Sequence, residues 1–318
     1  MSTTRSLSVP LSLSAPRLRW PHGGFLLAIL FVLAGAALFG RWPLVALLWQ
    51  QATADAAQRE RAVWLPDYRV DIEARPLAGI AANLSGLTYD PDRRSLFAIT
   101  NAPPEIIELS LSGDVLRRIP LSGVRDPEAI EYVGPGEFVL TDERRQALVH
   151  VRIDAGTRAV DAGRAPRLAL GIGRNGNKGF EGLAFDAASG RLFVAKERDP
   201  QRIYEVRGFP FSATAAVDIA EDAARDAALP GTDLAGLHFD AASGHLLALS
   251  EESRLLVEFA TDGRPLSSLS LAAGRSGLQK AVPQAEGVTL DDQGRVYVVS
   301  EPNLFYRLTR PPPVSPAG

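Results

Sequence analysis

The stretch EGLAFDAASGRLFVAKE, residues 181–197, recurs in the same register at four other places in the chain. In its first half the apolar Leu183 and Phe185 alternate with Ala184 and Asp186, a period of two that is typical of a β-strand. The DAASGR segment supplies the Asp, Ser and Gly that favour a tight turn before a second strand. The other copies are SGLTYDPDRRSLFAITN (85–101), EAIEYVGPGEFVLTD (128–142), AGLHFDAASGHLLALSE (235–251) and EGVTLDDQGRVYVVSE (286–301). Each copy therefore predicts a β-hairpin.

The spacing of the copies indicates an all-β propeller. Their first residues are 43, 53, 54 and 51 positions apart, and weaker strands follow each of the hairpins. Four antiparallel strands per unit of this length form one propeller blade. The last unit has room for three strands, and the segment YRVDIEA (68–74) is predicted to supply the fourth and close the ring. We therefore expect a five-bladed β-propeller.

Two other folds stay open at this point. A sixth blade would have to lie in a long spacer such as residues 208–231, whose Ala-rich composition better suits a helical segment over 215–229. A two-sheet sandwich would account for short strands, but it does not account for five copies of one hairpin.

The composition excludes several classes of protein. The 318 residues are 46% hydrophobic and carry 34 basic and 37 acidic side chains, a net charge of −3. This argues against a disordered chain and gives no basic excess for binding nucleic acid. The chain has no cysteine, which excludes disulfides, thiolate zinc sites, iron–sulfur clusters and cysteine nucleophiles.

The charge is concentrated differently in the two parts of the chain. The first 54 residues contain four arginines and no acid, a charge of +4, so that the total of −3 leaves −7 for the rest. Within this leader, residues 24–40 (GFLLAILFVLAGAALFG) form an uninterrupted apolar run that residues 44–49 could extend. Arg17 and Arg19 before the run predict an N-terminus in the cytoplasm, with Trp20 and Trp42 at the two membrane interfaces. A cleaved signal peptide is the alternative, but small-residue triplets such as 52–54 lie well beyond the run.

These observations predict a single-pass protein of the inner membrane with its propeller in the periplasm. The predicted order is a basic cytoplasmic leader (1–23), a transmembrane signal anchor (24–49), a linker (50–66), the propeller (67–309) and a Pro-rich tail (310–318).

Acidic residues recur in register within the repeats. The first strand of each blade faces the channel of a propeller, so equivalent positions form rings around one axis. The position that opens each repeat holds Ser85, Glu128, Glu181, Ala235 and Glu286. The position that ends the second strand holds Asn101, Asp142, Glu197, Glu251 and Glu301.

Converging carboxylates favour a hard cation as their partner. Their repulsion and burial can be relieved by protonation or by calcium, which takes 6–8 oxygen ligands. Only three histidines lie in the propeller segment, so a zinc, copper or iron site is poorly supported. We predict calcium as the cofactor, with ligands among Glu128, Glu181, Glu286, Asn101, Asp142, Glu197, Glu251 and Glu301. For most members of the second ring, pairing with arginine or exposure to solvent is the favoured interpretation, since acids at strand ends often have this role; for the three opening glutamates the metal site is favoured.

Several of these motifs together resemble the SdiA-regulated, YjiK-like family. The matching segments are NLSGLTYDPDRRSLFAITN, DPEAIEY, VLTDERRQ, NKGFEGLAFD, LFVAKERDP, PQAEGV and VYVVSEPNLFYR. The resemblance implies a five-bladed propeller behind a membrane segment, distantly similar to NHL-repeat propellers, with a calcium site and no established enzymatic activity. It supports Glu128, Glu181 and Glu286 as the matching acids, and Ala235 makes any such site asymmetric.

The sequence leaves three functions open. The first is a membrane-anchored, non-catalytic calcium-binding propeller with a role in binding or calcium homeostasis, carrying a protein or a small anionic ligand on one face. The second is a calcium-dependent hydrolase of lactones or phosphate esters, with Asp142, Glu143 or Glu301 as base and Lys196 and Arg198 on an anionic substrate. The third is a scaffold whose acids are merely solvated.

Overall fold

The two ends of the propeller segment meet in one sheet. The computed structural model describes residues 42–171, 179–211 and 216–311. Its first strand, β1 (Arg69–Pro76), pairs antiparallel with its last, β21 (Leu304–Thr309). This confirms that the segment at 68–74 closes the ring. The register of the pair shifts twice, and Ala74 there has a left-handed φ of 51°.

The described strands form five sheets, one for each blade. Blade 1 contains β2 (Leu84–Asp90), β3 (Ser95–Asn101), β4 (Pro104–Leu109) and β5 (Val115–Ser122); blade 2 contains β6 (Ile130–Gly134), β7 (Glu137–Asp142), β8 (Ala147–Arg152) and β10 (Arg167–Ala169). The short strand β9 (Val160–Asp161) runs parallel to β5 at the edge of blade 1.

The remaining three blades follow the same up-and-down order. Blade 3 contains β11 (Phe180–Asp186), β12 (Arg191–Lys196), β13 (Arg202–Arg207) and β14 (Asp218–Glu221); blade 4 contains β15 (Gly236–Asp240), β16 (His245–Ser250), β17 (Leu255–Ala260) and β18 (Pro265–Ser270); blade 5 contains β19 (Gln284–Leu290), β20 (Val296–Glu301), β21 and β1. The five-bladed prediction is confirmed, and the six-bladed and sandwich alternatives are wrong.

The long spacer before blade 4 differs from its prediction. Instead of one helix over 215–229, it contains the outer strand β14 and then a short helix, Ala223–Ala228. Asp222 begins this helix because its carboxylate accepts hydrogen bonds from the amides of Ala224 and Arg225, each 3.0 Å long. Because this segment is rich in alanine, the sequence did not reveal β14, the outer strand of blade 3.

Apolar layers between neighbouring blades form the core. Between blades 1 and 2, for example, Phe97 and Phe138 are both fully buried with ring centroids 4.8 Å apart. Phe305 of β21 is packed among residues of blade 1, which ties blade 5 to its neighbour across the ring closure. Such face-to-face burial of alternate strand residues accounts for the period of two in the sequence.

The segment that precedes β1 is packed onto the propeller. It contains the helices α1 (Trp42–Thr53) and α2 (Ala56–Glu60) and a single 3-10 turn, Leu65–Asp67. The fully buried Glu258 of β17 accepts hydrogen bonds from the amides of Val63 (2.7 Å) and Trp64 (3.0 Å). Residues from Pro43 onward form one compact unit, so the segment predicted as a linker (50–66) belongs to the folded body.

Most of the predicted membrane anchor, residues 24–49, lies outside the described residues. No helix in the described part of the chain is long and apolar enough to cross a membrane. Within the predicted extension, Leu47 is fully buried against the propeller, so this residue is part of its core.

Candidate metal centre

The inner strands meet so closely at the channel that two of the residues following ring positions, Gly86 and Gly287, leave no room for a side chain. A Cβ atom on Gly86 would lie 2.8 Å from the Cα of Ala129 in blade 2, and one on Gly287 would lie 2.7 Å from the carbonyl carbon of Gly86. These distances are shorter than side chains tolerate, which explains why glycine follows the opening residue in most copies. The same close approach brings the opening residues of neighbouring blades together.

Two ring glutamates lie in β-bulges, where they have no partner residue on the neighbouring strand. Register passes from Phe180 directly to Gly182 in blade 3, and from Ala285 to Gly287 in blade 5, so that Glu181 and Glu286 are the unpaired residues of the two bulges. A bulge bends the strand locally and re-aims the side chain.

Hydrogen bonds from blade 1 hold the third ring glutamate. Glu128 accepts from the Asn101 amide nitrogen (2.9 Å) and from the Ser85 hydroxyl (2.8 Å). Burial raises the pKa of Glu128 to about 7, although these two hydrogen bonds oppose the rise. The predicted neutral groups of blade 1 therefore support a carboxylate in blade 2.

The three opening glutamates act on one another electrostatically. Burial raises the pKa of Glu181 well above its usual range, and the charges of Glu128 and Glu286 raise it further. Burial also raises the pKa of Glu286 to about 8, with a further rise from Glu128 and Glu301. Glu128, Glu181 and Glu286 thus lie in one region of the channel, which we call the acidic mouth. Separate carboxylate charges are unfavourable there.

The second ring divides into three kinds of residue. Asp142 is fully buried, and its carboxylate accepts from Arg145 Nη1 at 2.8 Å. Glu197 pairs with Arg198, which also contacts Glu252 at 2.5 Å. Asn101 donates to Glu128, as described above.

The last two members of the second ring have raised pKa values. Burial raises the pKa values of Glu251 and Glu301, and the charge of Asp233 contributes to the rise at Glu251.

Two acids outside the predicted set of metal ligands lie close to Glu128. Carboxylate oxygens of Asp126, Glu128 and Glu143 all lie within 4.8 Å of one another, the only such cluster of at least three potential metal ligands within residues 42–171, 179–211 and 216–311. Glu143 accepts from the Gly179 amide at 2.9 Å, and Asp126 pairs with Arg144 at 2.7 Å. The register of the repeats did not reveal these residues because they flank the ring positions instead of occupying them.

A second polar layer lies deeper in the channel, three residues after the ring positions. Glu131 accepts from the Thr88 hydroxyl (2.9 Å) and from the Phe185 amide (3.0 Å), and burial raises its pKa to about 8. His238 lies 3.3 Å from the Thr289 hydroxyl, and burial lowers its pKa to about 4. Neither Glu131 nor His238 was among the predicted site residues.

Three of the side chains that the hydrolase hypothesis would use, Lys196, Arg198 and Asp142, make structural contacts. Lys196 is buried and donates to the carbonyl oxygens of Arg198 and of Pro200, the latter at 3.1 Å. Arg198 is engaged by two glutamates, and Asp142 caps the turn Glu143–Arg145 by accepting from the Arg145 amide at 3.3 Å. What the mouth offers chemically is a set of oxygen donors suited to a hard divalent cation.

Five four-stranded repeats around an acidic mouth define a five-bladed β-propeller. The chain belongs to the SdiA-regulated family, whose family model matches residues 60–309.

Solved structures of similar fold share little sequence with this chain. The glutaminyl cyclase of Myxococcus xanthus is 15% identical, with a TM-score of 0.52, over 76% of this chain and 95% of that one. A luciferin-regenerating enzyme is 14% identical, with a TM-score of 0.46, over 73% and 92% of the two chains. A chain of a nidogen–laminin complex is 18% identical, with a TM-score of 0.45, over 69% and 73%. The first of these likenesses shows the fold alone.

Proposed function

We propose that this protein is a non-catalytic, calcium-binding propeller, held at the periplasmic face of the inner membrane by its N-terminal segment. One observation carries the calcium proposal: the carboxylates of Asp126, Glu128 and Glu143 lie within 4.8 Å of one another. Glu181 and Glu286 add carboxyl groups near Glu128, whose charge contributes to the raised pKa of both.

The chemistry of the donors fits calcium better than a softer metal. Every ligand candidate at the mouth is a carboxylate, an amide or a hydroxyl, and calcium accepts six to eight such oxygens. Without a cation, burial and repulsion favour protons on these acids; a divalent ion would replace the protons and remove the repulsion. We therefore expect calcium affinity to increase from pH 6 to pH 8.

The proposed role is to bind a partner through the metal-loaded mouth. An ion held by carboxylates on one side of the mouth would keep coordination positions for a protein side chain or a small anion on the other. The membrane part of the proposal is supported by the apolar run at 24–40 behind Arg17 and Arg19. Resistance of the full chain to alkaline extraction from membranes, with the propeller accessible to protease only from the periplasmic side, tests that part.

Thermal unfolding of the full chain in detergent micelles tests the calcium proposal. A ligand that binds only the native state raises its melting temperature. We expect millimolar calcium to raise the Tm relative to a chelator, and we expect Glu128→Gln to abolish most of this increase. Glu221→Gln is the matched control, because Glu221 lies on the exposed outer strand β14 and should leave the increase unchanged. An identical Tm in calcium and in chelator would refute the proposal.

A further inference from the structure

Helix α1 is fixed to the propeller by one of its faces. Leu47 is fully buried in the apolar layer that joins blades 3 and 4, and Leu44 packs against the same layer. One turn further on, Gln51 accepts hydrogen bonds from the amide (3.0 Å) and the hydroxyl (3.1 Å) of Ser268 in the outer strand β18. The orientation of α1 on blade 4 is therefore determined by both apolar packing and hydrogen bonds.

The opposite face of α1 is also apolar, and it is exposed. Val45, Leu48 and Trp49 follow the spacing i, i+3, i+4, which places them on one side of a helix. Their exposed fractions are 39%, 54% and 72%. Soluble helices normally carry polar residues on the face directed away from the core, so a contiguous apolar face of this kind indicates a binding surface.

The adjoining sequence indicates what covers this face. Only Arg41 separates α1 from the 17-residue apolar run at 24–40, and the first acidic residue of the chain is Asp55, beyond the end of the helix. An acid-free apolar helix that directly follows a membrane-spanning segment lies at the depth of the lipid headgroups, where tryptophan is the preferred aromatic residue.

We propose that Val45, Leu48 and Trp49 insert into the interfacial layer of the lipid bilayer, so that α1 docks the propeller onto the membrane along the outer strand of blade 4. The inference rests on the membrane anchoring proposed above and adds a fixed orientation to it. Because the opposite face of α1 is packed into the propeller, the propeller would be held at the membrane rigidly, and not at the end of a free linker.

Spin labelling offers a direct test, since the natural chain has no cysteine. Leu48→Cys places one nitroxide on the proposed face, and Leu116→Cys places one on β5 of blade 1 as a matched control with 58% exposure. Each full-length variant is reconstituted into phosphatidylethanolamine–phosphatidylglycerol vesicles and isolated by flotation. The collision rates of the label with oxygen, which enriches in lipid, and with a water-soluble nickel chelate are then compared.

The proposal predicts that oxygen collisions dominate at position 48 and nickel collisions at position 116. If position 48 behaves like position 116 in floating vesicles, the docking inference is overturned while the anchoring stands. If the chain does not float, both fail. Strong spin–spin broadening at position 48 would identify a second copy of the chain as the occupant and would likewise overturn the inference.

Discussion

The ring glutamates have raised pKa values, so the free energy of unfolding of the metal-free protein should depend on pH. As the pH increases, the unfolded chain loses these protons near the ordinary value of 4.5, whereas folded Glu286 keeps its proton until about pH 8. Between these values the unfolded state binds fewer protons, so the free energy of unfolding must fall with increasing pH. For one group the slope is at most about 1.4 kcal/mol per pH unit.

Denaturant unfolding in chelator at pH 5, 6, 7 and 8 measures this dependence. Glu286→Gln should remove the part of this fall in stability that the Glu286 carboxyl causes. The stability of the variant relative to the natural chain should therefore increase with pH. Glu60→Gln, at an exposed position on α2, should run parallel to the natural chain. A Glu286→Gln curve parallel to that of the natural chain would show that Glu286 is ionised throughout this range.

The glycine that follows a ring glutamate is required by close packing between blades. At Gly287 an added methyl group would meet the backbone of Gly86 and Leu87 within 2.8 Å. We expect Gly287→Ala to lower the free energy of unfolding by about 1–3 kcal/mol through overpacking. Gly134→Ala is the control, because its nearest neighbour would be 3.8 Å away, and it should be close to neutral. Equal effects of the two substitutions in urea unfolding would contradict the packing argument.

At the scale of residues, the sequence predicted the acids that occupy equivalent positions of the repeats, but not the acids beside those positions. The opening acids follow directly from aligning five copies of one hairpin. Asp126 and Glu143 lie beside those positions, in loop and turn segments whose geometry depends on the left-handed φ of Asp126 (55°) and on the hydrogen bond from Gly179. Pairings such as Asp142 with Arg145 were anticipated only as a general alternative, since an acid near an arginine in sequence need not contact it in space.

At the scale of elements, α1 contributes to the stability of the propeller. Leu47→Ala removes a fully buried side chain and should lower the free energy of unfolding by about 3 kcal/mol. Leu48→Ala, one residue away on the exposed face, should change it by less than about 0.5 kcal/mol. Chemical denaturation in micelles compares the two. Similar small effects at both positions would mean that α1 does not pack as described.

Elements were predicted well where their periodicity was strong. The five hairpins have a clear alternation and appeared as expected. Strand β14 did not, because only four residues pair and its composition merges with the Ala-rich segment that follows. The same limit applies to α1, whose apolar composition fits a membrane span and a packed helix equally well; the burial of Leu47 and the hydrogen bonds between Ser268 and Gln51 show that it is packed.

At the scale of the whole molecule, pairing of β1 with β21 should make the ring unfold as one unit. Phe305 in β21 is fully buried and packs among residues of blade 1, so Phe305→Ala should lower the free energy of unfolding by about 3–5 kcal/mol. Hydrogen exchange should show this loss also in the amides of β12, in blade 3 across the ring. Phe211→Ala, at a position with 57% exposure, is the control. Faster exchange confined to blades 1 and 5 would contradict cooperative closure.

The blade count and the closing strand could be predicted because both follow from repeat arithmetic: five copies, and one unit lacking a strand. The packing of residues 54–66 onto blade 4 could not be predicted, since it depends on a buried carboxylate, Glu258, that accepts from Val63 and Trp64 across nearly two hundred positions of sequence.

A crystal structure of the full chain grown with calcium is the decisive test of calcium binding at the acidic mouth. We expect anomalous density for one ion at the mouth, with six to eight oxygen ligands at about 2.3–2.6 Å that include carboxylates of Glu128 and of at least one of Asp126 and Glu143. A mouth without an ion at millimolar calcium, with these carboxylates paired to arginines or protonated against one another, would contradict it.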